Sequence, residues 1–233
     1  MIPVRATLGV LASGRGSNLE AILQAVGRAD LPLRPAVVVT NRPEAGALEV
    51  ARRYGVPGVF VDPKPFGRDR EAYDLALLAV LREHGVDLVA LAGYLRLVSP
   101  LFLAAFPRRV LNIHPSLLPA FPGLEAQRQA VEYGVQVSGC TVFLVDEGLD
   151  TGPILMQAAV PVQPGDTAET LAARILEQEH RIFPEALRLV AEGRVTVDGR
   201  RVILRQDATA GPAAGPTAMA APAGAVAPEG PST

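Results

Sequence analysis

The segment Leu111-Asn112-Ile113-His114-Pro115-Ser116 sets an amide and an imidazole two residues apart at the end of an apolar run. If that run is a strand, side chains at i and i+2 share a face, so Asn112 and His114 project into the same space. Pro115 brings no N–H to a ladder and stops the strand. Hydrogen-bond donors at a strand's C-terminal tip suit the stabilisation of a developing oxyanion. A histidine satisfied locally at a strand end is the plainer reading, and the segment alone leaves both open.

A second candidate is Ser13-Gly14-Arg15-Gly16-Ser17-Asn18, between a first strand and a first helix. Glycines let the backbone come close to a ligand. Free N–H groups at a helix start favour an anion, which makes Gly16, Ser17 and Asn18 candidate phosphate contacts. A plain turn with a Ser or Asn cap fits equally well. The dinucleotide fingerprint is broken, because Leu19 occupies the third glycine position and Asn41, not an acid, follows the second strand. No Gly-Lys-Ser/Thr is present either, so a single phosphate monoester fits better than NAD or ATP.

The third is Asp146-Glu147-Gly148-Leu149-Asp150-Thr151-Gly152-Pro153. Asp146 and Glu147 read as a solvated turn. Asp150 lies between Leu149 and the Gly152-Pro153 that opens the next strand, and should be partly buried and able to face another loop. A carboxylate beside an imidazole favours the charged ring and fixes its orientation, so an Asp150–His114 pair is one arrangement this loop allows. His84 reads as a surface group capping a helix. Glu179 and His180 read as a solvated pair, with Glu179 able to reach an amine if the last helix borders the site. Arg96 is either a surface arginine or the partner of a carboxylated ligand, with Leu97 and Val98 lining an apolar slot.

These residues need a scaffold. Strand patterns cover Ala6–Ala12, Ala36–Thr40, Val59–Val61, Leu88–Ala92 and Val110–His114, with helical patterns at Asn18–Val26, Ala45–Tyr54, Asp69–His84 and Ser99–Ala105. The alternation implies an open, mostly parallel Rossmann-like α/β sheet with helices on both faces. Ligands in such sheets sit beyond the strands' C-terminal ends, where the glycine turn and the Asn-x-His both fall. After residue 135 the pattern changes. Ser138–Val145 and Pro153–Val160 read as antiparallel additions. Asp166-Thr167-Ala168-Glu169 resembles a capping box opening a helix to about Glu192, and Arg194–Asp198 with Arg201–Leu204 reads as a small hairpin about Gly199. From about Gln206 the chain is nearly all Ala, Pro, Gly and Thr, and residues 206–233 are expected to be a disordered tail.

Composition narrows the classes. The 233 residues carry 22 basic and 24 acidic side chains, net −2, which does not suit the wrapping of nucleic acid. No apolar run reaches the ~20 residues that span a bilayer. The N-terminus lacks the layout of a signal peptide. Cys140 is the sole cysteine, which rules out an internal disulfide framework and argues against a cysteine-built metal site. A soluble cytoplasmic protein is expected.

Taken together, Gly14-x-Gly16-Ser17-Asn18-Leu19, Ala92-Gly93-Tyr94-Leu95-Arg96, Asn112-Ile113-His114-Pro115-Ser116-Leu117-Leu118-Pro119 and Asp150-Thr151-Gly152-Pro153-Ile154 resemble the folate-dependent glycinamide ribonucleotide formyltransferases of de novo purine biosynthesis. The resemblance covers roughly residues 5–204. It implies one formyltransferase domain over residues 1–205, with a phosphate-binding half to about residue 100 and a catalytic and folate half beyond it. It implies transfer of a formyl group from 10-formyltetrahydrofolate, a cosubstrate and not a tightly bound cofactor, to the amine of glycinamide ribonucleotide. Asn112 and protonated His114 would donate to the oxyanion, and Asp150 would support His114 and help a bound water move the proton. No metal and no covalent intermediate are implied. Gly16, Ser17 and Asn18 match the phosphate contacts, and Glu179 an acid near the ribonucleotide. Arg70, Tyr94, Leu95, Arg96, Leu97, Val98, Val145 and Asp146 match the folate region, the last two within a loop running to Gly152. Glu125 and Phe143 stand where many relatives carry histidine, and Ala120 where some carry lysine. The expected partners are the two small molecules, without nucleic acid or membrane, for a monomer or homodimer. Rival readings are a formylmethionyl-tRNA transferase or a formyltetrahydrofolate hydrolase, for whose extra C-terminal or N-terminal domain the chain has no room, and a non-enzymatic phosphate-binding α/β module.

Overall fold

The computed structural model describes residues 6–205; the expected tail lies outside them. Seven strands form one sheet in the order β3-β2-β1-β4-β5-β6-β7. β1 (Ala6–Ala12), β2 (Leu33–Thr40), β3 (Gly58–Phe60), β4 (Leu88–Leu91) and β5 (Val110–His114) run parallel. β6 (Val137–Leu144) and β7 (Ile154–Pro161) continue the sheet antiparallel. The expected α/β sheet with late antiparallel additions is therefore what the chain forms. β2 starts three residues earlier than its apolar run because Pro35 is absorbed by a bulge: the register steps from Leu8↔Pro35 to Gly9↔Val37, so no ladder bond is asked of the missing N–H.

Strand alternation feeds two cores. On β1, Leu8, Val10 and Ala12 face one cluster, and Leu11 faces the other. The first is covered by α1 (Ser17–Gly27), α2 (Gly46–Arg53) and α6 (Ala168–Ala191), the second by α3 (Arg70–Glu83) and α4 (Pro100–Ala105). Gly9 faces α3, and a Cβ there would stand 2.7 Å from Leu81 Cδ2. Asp69 caps α3 through Ala72 N–H (2.9 Å), and Ser99 caps α4 ahead of Pro100. The reading of Asp166 as the cap of α6 is corrected. Thr167 is the N-cap and exchanges hydrogen bonds with Thr170, while the Asp166 carboxylate takes Arg174, which holds it well below the usual carboxylate range.

Two further elements, α5 (Ala126–Tyr133) and a single 3-10 turn at Lys64–Phe66, carry too few apolar residues to show periodicity. β8 (Val195–Asp198) and β9 (Arg201–Leu204) form the hairpin about Gly199. Among the described residues no helix is long and apolar enough to cross a membrane. From β1 the chain builds outward to β2 and β3, then returns to place β4 on β1's other side, so the sheet's switch point lies between β1 and β4.

Candidate active site

At that switch point Ser13 ties three strand ends together. Its N–H donates to Gly93 O (3.1 Å), while its Oγ donates to Asn41 Oδ1 (2.7 Å) and accepts from Leu95 N–H (2.9 Å). Asn41, standing where a dinucleotide site needs an acid, is thus spent on the scaffold. The strand ends open on a cleft of about 970 Å³ whose lining includes Asn112 and His114, side by side on β5 as their shared face requires.

The loop after β5 is pinned from β6 and β7. Thr141 Oγ1 donates to Ser116 O (2.7 Å) and accepts from Leu118 N–H (3.0 Å), and Gln157 Nε2 donates to Leu118 O (2.9 Å). The chain turns back over the strand tip, and two of its backbone groups meet the site. His114 Nε2 donates to Phe121 O (2.8 Å), and Gly123 N–H donates to Asp150 Oδ2 (2.8 Å). That same carboxylate oxygen lies 3.4 Å from His114 Nδ1, with both side chains about nine-tenths buried. The structure brings His114 and Asp150 together and puts protein oxygens at both ring nitrogens. The Nε2 proton is thus engaged by the Phe121 carbonyl, and donation from Nε2 to any other group requires the ring or that carbonyl to move. Sequence reasoning passed over Phe121 and Gly123. Their signal was the turn tripeptide Phe121-Pro122-Gly123, with Gly123 at φ +83°.

Ser17 and Asn18 line the other end of the cleft, and no side chain caps α1, which leaves its first N–H groups available. Gly16 does not line the cleft. It sits at φ +85° with α2 so close that a Cβ would stand 2.8 Å from Ala47 Cα. The expectation of a solvated Glu179–His180 pair is corrected. Glu179 is 7% exposed and accepts from Asn18 Nδ2 (2.7 Å); burial pushes its pKa up, against the lowering by that hydrogen bond. The cause is helical spacing: residue 179 falls on the inward stripe with Ile175, Ile182 and Phe183. His180 is half-buried with Nε2 unpartnered, and burial lowers its pKa. Asn18 Oδ1 is also buried without a partner, which makes it an acceptor awaiting a donor.

Tyr94, Leu95, Arg96, Leu97 and Val98 line one wall, and Val145 and Asp146 belong to the loop that closes the same cleft. The Arg96 guanidinium carbon lies over the Tyr73 ring, 4.8 Å from its centre. The Tyr94 hydroxyl is buried, and burial, with the Tyr73 hydroxyl beside it, pushes it far above the usual phenol range, so it stays neutral. Arg70 is not among the lining residues; it begins α3, and its charge acts on Asp74 one turn on. His84, as expected of a helix cap, sets Nδ1 2.9 Å from Val80 O. Phe143, directly opposite Asn112 on β6, and Glu125, paired with Arg128 at 3.2 Å, also line the cleft.

The formyl transferase family profile matches residues 7–187. Phosphoribosylglycinamide formyltransferase of Mycobacterium tuberculosis (strain CDC 1551 / Oshkosh) is 46% identical over 207 residues, covering 88% of this chain and 94% of that protein. The trifunctional purine biosynthetic protein adenosine-3 of Gallus gallus is 45% identical over 190 residues, 82% of this chain but 19% of that protein, so the chain spans about a fifth of that relative. The crystal structure of glycinamide ribonucleotide transformylase 1 from Symbiobacterium toebii superposes with a TM-score of 0.85 at 57% identity, covering 86% of this chain and 94% of the other. The cleft at the sheet's switch point, walled by Asn112, His114 and Asp150, lies within the matched span, and the chain belongs to the formyl transferase family.

Proposed function

We propose that the chain transfers the formyl group of 10-formyltetrahydrofolate to the primary amine of glycinamide ribonucleotide, giving formylglycinamide ribonucleotide and tetrahydrofolate in purine biosynthesis. The observation that carries the reading is the Asn112, His114, Asp150 cluster on the floor of a cleft that ends, on one side, at the uncapped start of α1.

The ribonucleotide phosphate takes the free N–H groups around Ser17, with Gly16 shaping the turn. Asn18 Oδ1 and the Glu179 carboxylate are acceptors, so they suit the ribose hydroxyls or the amide better than the phosphate. The folate lies along Tyr94 to Val98 and under the Val145–Gly152 loop. Arg70 is outside the lining and acts on this region through its charge on Asp74.

The amine nitrogen attacks the formyl carbon, forming a C–N bond and placing negative charge on the former carbonyl oxygen. The Asn112 amide donates to that oxygen. His114 donates once substrate has displaced its contact with Phe121, and Asp150 compensates the imidazolium charge. The proton leaving the attacking nitrogen passes by way of water near Asp150 to the leaving nitrogen of the folate, and the old C–N bond breaks. No covalent intermediate and no metal enters this sequence. Each donor is worth about 3–4 kcal/mol of transition-state stabilisation on removal.

The test is a formyl-transfer assay with glycinamide ribonucleotide, run beside formylmethionyl-tRNA formation and hydrolysis by water. Turnover confined to the ribonucleotide supports the reading. Preference for tRNA or water, or ribonucleotide binding without turnover, sinks it.

A further inference from the structure

The hairpin after α6 lies beyond the 7–187 span of the family profile, and no step above uses it. β8 and β9 pair with Asp198 opposite Arg201, which leaves Gly199 and Arg200 as a two-residue tip with Gly199 at φ +57°. Val195, Val197 and Val202 pack against the main core, so the base of the hairpin is anchored while its tip projects. From that tip Arg200 reaches back 49 positions: Nη2 donates to Thr151 O at 2.8 Å.

Thr151 directly follows Asp150, in a loop whose other ties are internal or come from the cleft side. Asp146 Oδ1 accepts from Thr151 Oγ1 (2.7 Å) and Gly148 N–H (3.1 Å), and Gly123 holds the Asp150 carboxylate. Asp150 itself stands at φ +54°. Asp tolerates that left-handed region better than most side chains, but keeping it in one conformation there still takes contacts from its surroundings. Arg200 supplies a hold from outside the loop, with a charged donor on a backbone carbonyl.

We propose that Arg200 is a positioning residue: by fixing the Thr151 carbonyl it holds the 146–152 loop in the conformation that aims Asp150 at His114. This rests on the reading of Asp150 as part of the reacting set. Because Arg200 is exposed, its loss leaves the core intact, and the effect falls on turnover and not on folding.

The experiment uses the full chain, with Arg200→Ala, Arg200→Lys, Asp150→Asn and the Arg200→Ala/Asp150→Asn double variant in the formyl-transfer assay. Arg200→Ala should lower kcat about fivefold, the size of one hydrogen bond, with the ribonucleotide KM and Tm unchanged. Arg200→Lys, which keeps one donor, should recover part of that loss. In the Asp150→Asn background, Arg200→Ala should add nothing. Wild-type kcat in Arg200→Ala, or the same fold loss in both backgrounds, overturns the proposal while leaving the site reading intact. Near-normal turnover in Asp150→Asn is the different failure, which removes the site reading and this proposal with it.

Discussion

His114 is held between oxygens of two different loops. Asp150 Oδ2 lies 3.4 Å from one ring nitrogen, and Phe121 O lies 2.8 Å from the other. In the proposed reaction both groups act on charge that develops only in the transition state, so His114→Ala or Asp150→Asn should cut kcat at least ~100-fold while leaving ribonucleotide affinity, read by calorimetry, little changed. A variant with near-normal kcat would take its residue out of the chemistry. Glu179 makes a different prediction. Its buried carboxyl has a pKa raised above the unfolded value, so its contribution to stability is greatest when it is protonated and is lost as pH rises through the folded value. Glu179→Gln keeps the Asn18 contact without the charge. Its Tm should exceed that of the wild type at pH 8, and the gap should close as pH falls below the carboxylate range; an equal Tm at pH 8 would mean that the charge is compensated there. The same residue marks a limit of sequence reading. Asn112 and His114 were legible because strand alternation fixes their faces. Glu179 sits on an inward helical stripe among apolar residues, and a lone acid there is indistinguishable from a solvated one until the packing partner is known.

At the scale of elements, the turn between β1 and α1 is built from close approach. Gly16 lies at φ +85° with Ala47 against it, so Gly16→Ala combines a left-handed penalty of about 1–2 kcal/mol with a clash against α2 backbone. For a domain of this size that lowers Tm by roughly 2–8 °C, measurable by calorimetry, and the displaced turn should weaken phosphate binding as well. An unchanged Tm would show that α2 can slide away. Strands β1 and β5 could be placed from sequence to the residue because apolar runs there end at glycine or proline punctuation. α5 could not, since its face toward the protein buries little more than Ala126 and Ala130. The hold on Asp150 by Gly123 was likewise invisible: it joins backbone and carboxylate 27 positions apart, and no local pattern encodes it.

Among the described residues a single seven-stranded sheet carries the cleft, and the residues lining it come from widely separated parts of the chain. Ser17 and Asn18 come from the first helix, Asn112 and His114 from the fifth strand, Asp150 from the loop between the antiparallel strands, and Glu179 from the last long helix. A ligand bridging these groups reaches the folded state only, because unfolding disperses residues more than 150 positions apart: Asn18 and Glu179 are separated by 161. Binding must then raise global stability by mass action. Ribonucleotide at about 100 times its Kd contributes about 2.7 kcal/mol, which for a domain of this size is roughly 5–10 °C in Tm. Because β1 to β7 form one hydrogen-bonded unit with both cores sharing its strands, that rise should come as a shift of a single transition, not as the splitting of one melting curve into two. Scanning calorimetry with and without the ribonucleotide decides the matter. A lower transition left unshifted by ligand would mean that part of the chain, such as the β6–β7 addition carrying the Asp150 loop, unfolds apart from the phosphate end, and the cleft could not then be a pre-formed site.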